Sequence, residues 1–161
     1  MRKRLIQAAL VFIAVVVVAQ FIRPGRTNPP IDASRTIQAQ AGMSAALVAV
    51  LDRACKDCHS NATVWPWYTQ IAPVSWAMAY EAKAGRKALN FSEWAGYTPA
   101  QQRDLLVQSC QDATTGRMPW STWTTLHPES KLSAQDVETI CAAARRAEAV
   151  AAAGVEGRVT P

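Results

Sequence analysis

The chain divides into a continuous apolar run near the N-terminus and a longer region in which apolar residues recur at helical spacing. Residues 5–22 carry no charge and include two polar side chains, Gln7 and Gln20. As a helix this run would be about 27 Å long, close to the thickness of a bilayer's hydrocarbon core. The basic residues 2–4 precede it, as is typical of a cytoplasmic flank. The pattern predicts an N-terminal transmembrane helix over residues 1–22.

A cleaved signal peptide is the alternative interpretation, with the small residue Ala19 at the cleavage site. The apolar run continues through Phe21 and Ile22, which favours an uncleaved anchor. We therefore expect a single-pass protein of the inner membrane, with its domain in the periplasm or otherwise outside the cytoplasm. Residues 23–40 are rich in proline and predict an extended linker.

From residue 41 onward the pattern is helical. Apolar residues fall on one face of a first helix that runs directly into Cys55: Met43, Leu47, Val50, Leu51 and Ala54. Further helices are predicted over residues 73–89, 98–115 and 133–154, the second of these with Thr98 as N-cap and Gly116 at its C-terminal turn. No segment alternates convincingly as a strand would. We predict an all-α domain over residues 41–154 with irregular connections rich in Trp and Pro, then a tail, 155–161.

The charge adds little to this interpretation. The formal net charge is +5, and residues 2–4 supply three of the positive charges. The rest of the chain is nearly balanced and contains no basic stripe, so we expect no nucleic-acid partner.

Residues 55–59 read Cys-Lys-Asp-Cys-His, the signature of c-type haem attachment. Two thiols three positions apart on a helical turn can reach both vinyl groups of one porphyrin. The imidazole of the next residue then lies under the iron as its proximal ligand. The spacing predicts one covalently attached haem c, held by Cys55, Cys58 and His59.

Three other functions of this motif remain open. A thioredoxin-like dithiol needs a βαβ context, which the pattern lacks. A structural zinc site needs four ligands; Cys110, His127 and Cys141 are available but not closely paired. A disulfide between Cys55 and Cys58 would leave His59 without a role.

The sixth iron ligand is predicted to be Met118, which follows the third helix of the domain after a short turn. A methionine thioether is a common partner of histidine in electron-transfer haems. His127 is the main rival, an open sixth position is a further alternative, and Met118 could also only fill a gap in the core. Met43 and Met78 fall at apolar helical positions and are interpreted as core residues.

The chain resembles the bacterial haem-binding domain family of small, membrane-anchored, c-type cytochrome-like proteins. The resemblance covers nearly the whole length and is carried by long, unusual strings: residues 21–24 (FIRP), 26–30 (RTNPP), 55–61, 65–68 (WPWY), 71–76 (IAPVSW), 89–94 (LNFSEW), 118–119 and 126–128 (LHP). It implies a small cytochrome c-like helical fold, haem binding through Cys55, Cys58 and His59, and an uncleaved N-terminal helix. One departure is that Met118-Pro119 is followed directly by Trp120, where the family pattern has a second proline.

Several other residues are candidates for the site. All six Trp lie between positions 65 and 123 and could line a porphyrin pocket or form ordinary core. Cys110 and Cys141 lie on the inward faces of the last two helices and are predicted to form a disulfide, free buried thiols being the alternative. The basic cluster of Lys83, Arg86 and Lys87 has three possible interpretations: a solvated face, a contact for a haem propionate, or a contact for an acidic protein partner.

Taken together, these features predict a monohaem, membrane-anchored electron carrier that works with a redox protein partner and is not an enzyme. A haem-based sensor with an open or displaceable sixth position is the first alternative. A haem peroxidase that uses His127 as its acid–base group is the second.

Overall fold

A computed structural model describes the backbone of residues 1–156 and the side chains of residues 1–153. Seven α-helices follow one another along these residues: α1 Arg2–Ala19, α2 Ala45–Ala54, α3 Lys56–His59, α4 Val74–Ala88, α5 Pro99–Thr114, α6 Ser121–Leu126 and α7 Ala134–Glu156. Short 3-10 helices lie between them: Ala33–Arg35, Ile37–Ala39, Trp67–Gln70, Phe91–Gly96 and Pro128–Ser130. Residues 1–156 contain no strand, so the prediction of an all-α fold is confirmed. Of the predicted tail, residues 157–161 lie outside the described residues.

The predicted transmembrane helix is wrong. Within the described residues, the structure has no helix of sufficient length and apolar character to cross a membrane. α1 ends at Ala19, and residues 2–4 at its start are charged. Its uncharged part, residues 5–19, is about 22 Å long, shorter than a hydrocarbon core of about 30 Å. The localisation predicted from this helix, single-pass in the inner membrane, is corrected with it.

The residues directly after α1 are hydrogen-bonded to the domain. The Gln20 side-chain oxygen accepts a hydrogen bond from the Ala72 backbone N–H at 2.9 Å. The Trp76 indole N–H donates to the carbonyl of Ile22 at 2.8 Å. The last residues of the apolar run therefore follow the surface of the domain instead of extending the helix.

Residues 23–40, predicted to be an extended linker, pack on the domain. Ile37 is fully buried in the core. The Asn28 amide donates to the carbonyl of Thr63 at 2.8 Å, and the Asn61 amide donates to the carbonyl of Pro30 at 3.2 Å. This segment is therefore part of the domain's hydrogen-bond network.

The helix limits follow from capping chemistry. Ser44 caps α2 by accepting from the N–H of Leu47, and Thr98 and Gln101 form a reciprocal capping box at the start of α5. At the end of α5 the N–H of Gly116 bonds to Ala113 and that of Arg117 bonds to Asp112. This is a Schellman motif, with Gly116 at a φ of 67°.

The core lies between α2, α5 and α7 and the 3-10 helices. α5 and α7 pack along each other, and α3 packs against α4. The buried face predicted for α2 is confirmed for Leu47, Val50, Leu51 and Ala54. The large apolar side chains buried in this core are those of Ile37, Leu47, Leu51, Leu89, Phe91, Trp94, Leu106 and Ile140.

Candidate functional site

The Cys-x-x-Cys-His motif forms a tight turn directly after α2. Cys55 ends α2, and its carbonyl accepts hydrogen bonds from the N–H groups of Cys58 at 3.3 Å and His59 at 3.0 Å. These bonds close the single turn of α3 and bring the three side chains to one face of the domain. Neither cysteine of the motif is in a disulfide.

A cavity of about 330 Å³ lies beside this turn. It is lined by Cys55, Cys58, His59 and Met118, the four residues predicted from the sequence to hold a haem. The rest of its wall is mostly apolar and comes from α2, α4, α5, α6, α7 and the segments between them: Leu51, Ala54, Met78, Ala84, Gly85, Ala88, Leu89, Phe91, Leu105, Ala113, Pro119, Trp120, Trp123, Leu132 and Ile140. Glu81, Asp112, Gln108 and Ser109 are among its polar lining residues.

His59 is oriented by the backbone of the segment after α4. Its Nδ1 lies 3.1 Å from the carbonyl oxygen of Leu89. A carbonyl can only accept, so Nδ1 carries the proton and Nε2 is the nitrogen left for a metal. Burial lowers the pKa of His59 below its ordinary value, which favours the neutral imidazole that metal ligation requires.

The two thiols of the motif are held in the protonated form. Burial, with the neighbouring Cys58, raises the pKa of Cys55 to about 12. Burial, with the charges of Asp57 and Glu81, raises the pKa of Cys58 to about 11. A redox dithiol needs a lowered thiol pKa to supply its thiolate nucleophile. This environment therefore argues against the thioredoxin-like alternative.

The zinc alternative finds no support in the geometry. In the part of the chain that the structure describes, no three His, Cys, Asp or Glu side chains are grouped as metal ligands would be. Two of the proposed partners, Cys110 and Cys141, form a disulfide that joins α5 to α7, with their Cα atoms 4.7 Å apart. That pairing agrees with the disulfide predicted from the helix faces.

Gly85 is a site residue that the sequence pattern did not single out. It lies in α4, lines the cavity and packs against the backbone of Cys58. A Cβ at this position would lie 2.9 Å from the Cys58 carbonyl carbon and closer still to its oxygen. Only glycine permits α3 and α4 to approach this closely, so the position of the motif depends on it.

Met118 reaches the cavity from the loop after α5. The Schellman turn at Gly116 reverses the chain, and the N–H of Met118 bonds to the carbonyl of Asp112 at 3.2 Å. Met118 is 42% exposed and lies at the edge of the cavity. Met78, interpreted from the sequence as a core residue, also lines the cavity from α4, whereas Met43 packs against the core.

His127, the rival for the sixth ligand, is not among the residues that line the cavity. Its ring stacks on Trp123 with 3.8 Å between centroids and 15° between planes. Its Nε2 is hydrogen-bonded to the hydroxyl of Tyr68, and its Nδ1 lies 3.0 Å from a carboxylate oxygen of Glu129. Both ring nitrogens thus have protein partners, and the ring packs against the face of Trp123.

The tryptophans divide between the two functions considered from the sequence. Trp120 and Trp123 line the cavity, and Trp94 is 1% exposed in the core. Trp65 and Trp76 instead bond the N-terminal segment through Asn28 and the Ile22 carbonyl. The remaining one, in the 3-10 helix Trp67–Gln70, is exposed.

Arg86 has a structural role that the sequence did not reveal. Its guanidinium donates to the carbonyls of Ser60 at 2.7 Å and Thr27 at 3.0 Å. It also donates to the side chains of Asn28 at 2.8 Å and Thr63 at 2.6 Å. Arg86 therefore joins the segment after α1 and the loop after the motif to α4, and these partners use four of the five N–H donors of its guanidinium.

The donor set and the cavity fit a haem. Two cysteines and an oriented neutral imidazole are the attachment and ligation chemistry of a c-type centre. The volume of about 330 Å³ lies at the lower end of the range of about 300–1,000 Å³ of ligand pockets, and the wall is largely apolar as such pockets are.

Comparison with known proteins agrees with this geometry. The profile of the haem-binding domain family matches residues 14–146, a span that includes the segment after α1, the motif, Met118 and the disulfide. No curated protein and no solved structure gives a significant match. The family match covers most of the chain, and the chain therefore belongs to the haem-binding domain family.

Proposed function

We propose that this haem-binding protein is a monohaem c-type cytochrome that transfers single electrons. In this proposal Cys55 and Cys58 hold one haem c through thioether bonds, His59 is the proximal iron ligand and Met118 the distal one. The observation that carries the proposal is that all four side chains line a single cavity. The family match supports the haem, and the motif supports its covalent attachment.

When bound, the haem supplies a one-electron couple between ferric and ferrous iron. The protein's contribution is orientation and electrostatics. The Leu89 carbonyl, which fixes the His59 ring, increases the basicity of the imidazole. A thioether from Met118 would raise the potential, and the largely apolar wall would disfavour the more highly charged ferric state.

An electron carrier fits this cavity better than a peroxidase. Among the described residues, His59 is the one histidine in its lining, and His127 stacks behind Trp123. The peroxidase considered from the sequence would use His127 as its distal acid–base group, and that ring is instead bonded to Tyr68 and Glu129. Met118 is 42% and Trp120 44% exposed at the cavity, so electrons could pass to a redox protein partner that docks there.

The experiment is a set of absorption spectra, oxidised and reduced, of protein produced with haem-attachment machinery. Methionine ligation gives a weak charge-transfer band at about 695 nm in the oxidised state. We expect the band in the wild type and in Met78→Leu and His127→Ala, and we expect its loss in Met118→Leu. Met78→Leu is the matched control, because Met78 lines the same cavity from α4.

A ligand-binding haem module is the second candidate, and the exposure of Met118 is the observation that favours it. An exposed ligand on a loop is easier to displace than a buried one. Rapid and complete binding of carbon monoxide to the reduced wild type would favour this candidate. Slow or partial binding that becomes fast in Met118→Leu would favour the electron carrier.

A further inference from the structure

The loop that carries Met118 has little packing of its own to hold it. Met118 is 42% exposed and Arg117 is 66% exposed. Gly116 reverses the chain but contributes no side chain. The polar contacts at the start of this loop converge on one residue, Asp112.

Asp112 holds the loop through both its backbone and its side chain. Its carbonyl accepts from the N–H of Arg117 at 2.9 Å and from that of Met118 at 3.2 Å. One oxygen of its carboxylate lies 3.2 Å from the Arg117 Nε and accepts from the Gln108 amide at 3.0 Å. The same residue thus bonds the two residues at the start of the loop and the helix turn before them.

The Asp112 carboxylate is the sheltered member of this ion pair. Its side chain is 19% exposed and lines the cavity. On the same helix, the Arg103–Asp104 pair has an Asp104 side chain that is 66% exposed. Exposed pairs contribute little, because water and salt screen them and the side chains lose entropy. The Asp112 carboxylate is sheltered although Arg117 is 66% exposed, so removing the carboxylate should loosen the loop, which then keeps only the two bonds to the backbone carbonyl of residue 112.

We propose that Asp112 is a positioning residue that keeps Met118 over the iron site. The inference rests on the proposed function, since it assigns Asp112 a role only if Met118 is the sixth ligand. Asp112 touches neither the iron nor a substrate; it acts through the loop. Its loss increases the fraction of molecules in which Met118 is detached.

The expected effect follows from the fraction of molecules in which the sixth position of the iron is free. An external ligand such as carbon monoxide binds only molecules with a free sixth position, so its apparent affinity scales with their fraction. A charge-assisted hydrogen bond of this kind is strong enough to change that fraction about tenfold. We expect Asp112→Ala to bind carbon monoxide about tenfold more tightly than the wild type, with a weaker band at about 695 nm in the oxidised state.

Three further variants separate positioning from charge and from general stability. Asp112→Asn loses the ion pair but keeps an oxygen that can accept from Gln108 and Arg117, so it should restore part of the band. Arg117→Ala removes an exposed partner without threatening the fold and should weaken the band less than Asp112→Ala. Asp104→Ala, on the same helix, is the matched control and should behave as the wild type.

The outcomes distinguish the inference from the proposed function. If the wild type shows the band and Asp112→Ala and Arg117→Ala both leave the band and the carbon monoxide affinity unchanged, the inference is wrong and the cytochrome assignment stands. If Asp112→Asn is as impaired as Asp112→Ala while Arg117→Ala behaves as the wild type, the carboxylate acts through its charge in the cavity and not through the loop, and the inference is also overturned. If the wild type itself lacks methionine ligation, both fail together, and its spectrum alone reveals this.

Discussion

Replacing Gly85 by alanine has two opposing effects on the free energy of unfolding, and the contacts of α4 determine which is larger. In the interior of α4, alanine is favoured over glycine by roughly 0.5–1 kcal/mol, because glycine loses more backbone entropy on folding. At this position, however, the new Cβ would lie 2.9 Å from the carbonyl carbon of Cys58 and 3.1 Å from its Cβ. Carbon atoms in contact are normally about 3.5–4.0 Å apart, so α3 and α4 must separate by at least about 0.6 Å.

The atoms met by the new methyl group are mostly backbone, which cannot rotate away as a long side chain would. Overpacking of this kind typically costs about 1–3 kcal/mol, more than the gain in helix propensity. We therefore expect Gly85→Ala to lower the free energy of unfolding by about 1–2 kcal/mol and Tm by about 2–8 °C. The shift should also disturb the motif, so the haem spectrum and the yield of attached haem should change.

The assay is urea and thermal unfolding followed by circular dichroism, with the absorption spectrum recorded on the same samples. Gly25→Ala is the control, because a Cβ at Gly25 would have no atom within 4 Å and the φ of Gly25 is not positive. It should be neutral or slightly stabilising. If Gly85→Ala proved as stable as the wild type with an unchanged spectrum, the close packing of α4 on the motif would be refuted.

Three further predictions use other parts of the network. Arg86→Ala should destabilise the fold by about 1.5–3 kcal/mol in urea unfolding, because four acceptors lose a charged donor; an equal effect of Lys87→Ala would contradict this role. Replacing both Cys110 and Cys141 by serine opens a loop of 31 residues and should cost about 2–4 kcal/mol, seen as a lower urea midpoint; an unchanged midpoint would show that the bond contributes nothing. Hydrogen bonds from Ser133 hold the pKa of the Asp136 carboxyl below its ordinary value, so the stabilisation it gives is present above that ordinary value and is lost as the pH falls further; Asp136→Asn should flatten the stability profile in this acidic range, and an unaltered acid limb would argue against it.

The helices of the domain could be predicted because their signals are local. The apolar spacing of α2 and the capping residues of α5 each act within a few positions of the chain. The haem motif is also local, since its three residues share one helical turn. Met118 could be proposed because methionine ligation is common, although its entry into the cavity depends on the turn at Gly116.

The parts that the sequence did not predict depend on contacts between distant segments. The apolar run predicted a membrane span, but Gln20 and the Ile22 carbonyl bond the domain and the helix ends at Ala19. In the sequence Arg86 stands out only as a member of a basic cluster. Its role could not be predicted, because the residues it bonds lie 23 to 59 positions away. Gly85 gave no signal, since a glycine within a helix is informative only when the neighbouring backbone is known.

The most direct test of the account is the mass of the intact chain under denaturing conditions, after production with haem-attachment machinery. The account predicts that the wild type carries the mass of one haem that neither acid nor organic solvent removes. It also predicts that a variant with serine at both Cys55 and Cys58 has the mass of the polypeptide alone. A wild-type chain of polypeptide mass with two reactive thiols at these positions would contradict covalent attachment and, with it, the central claim.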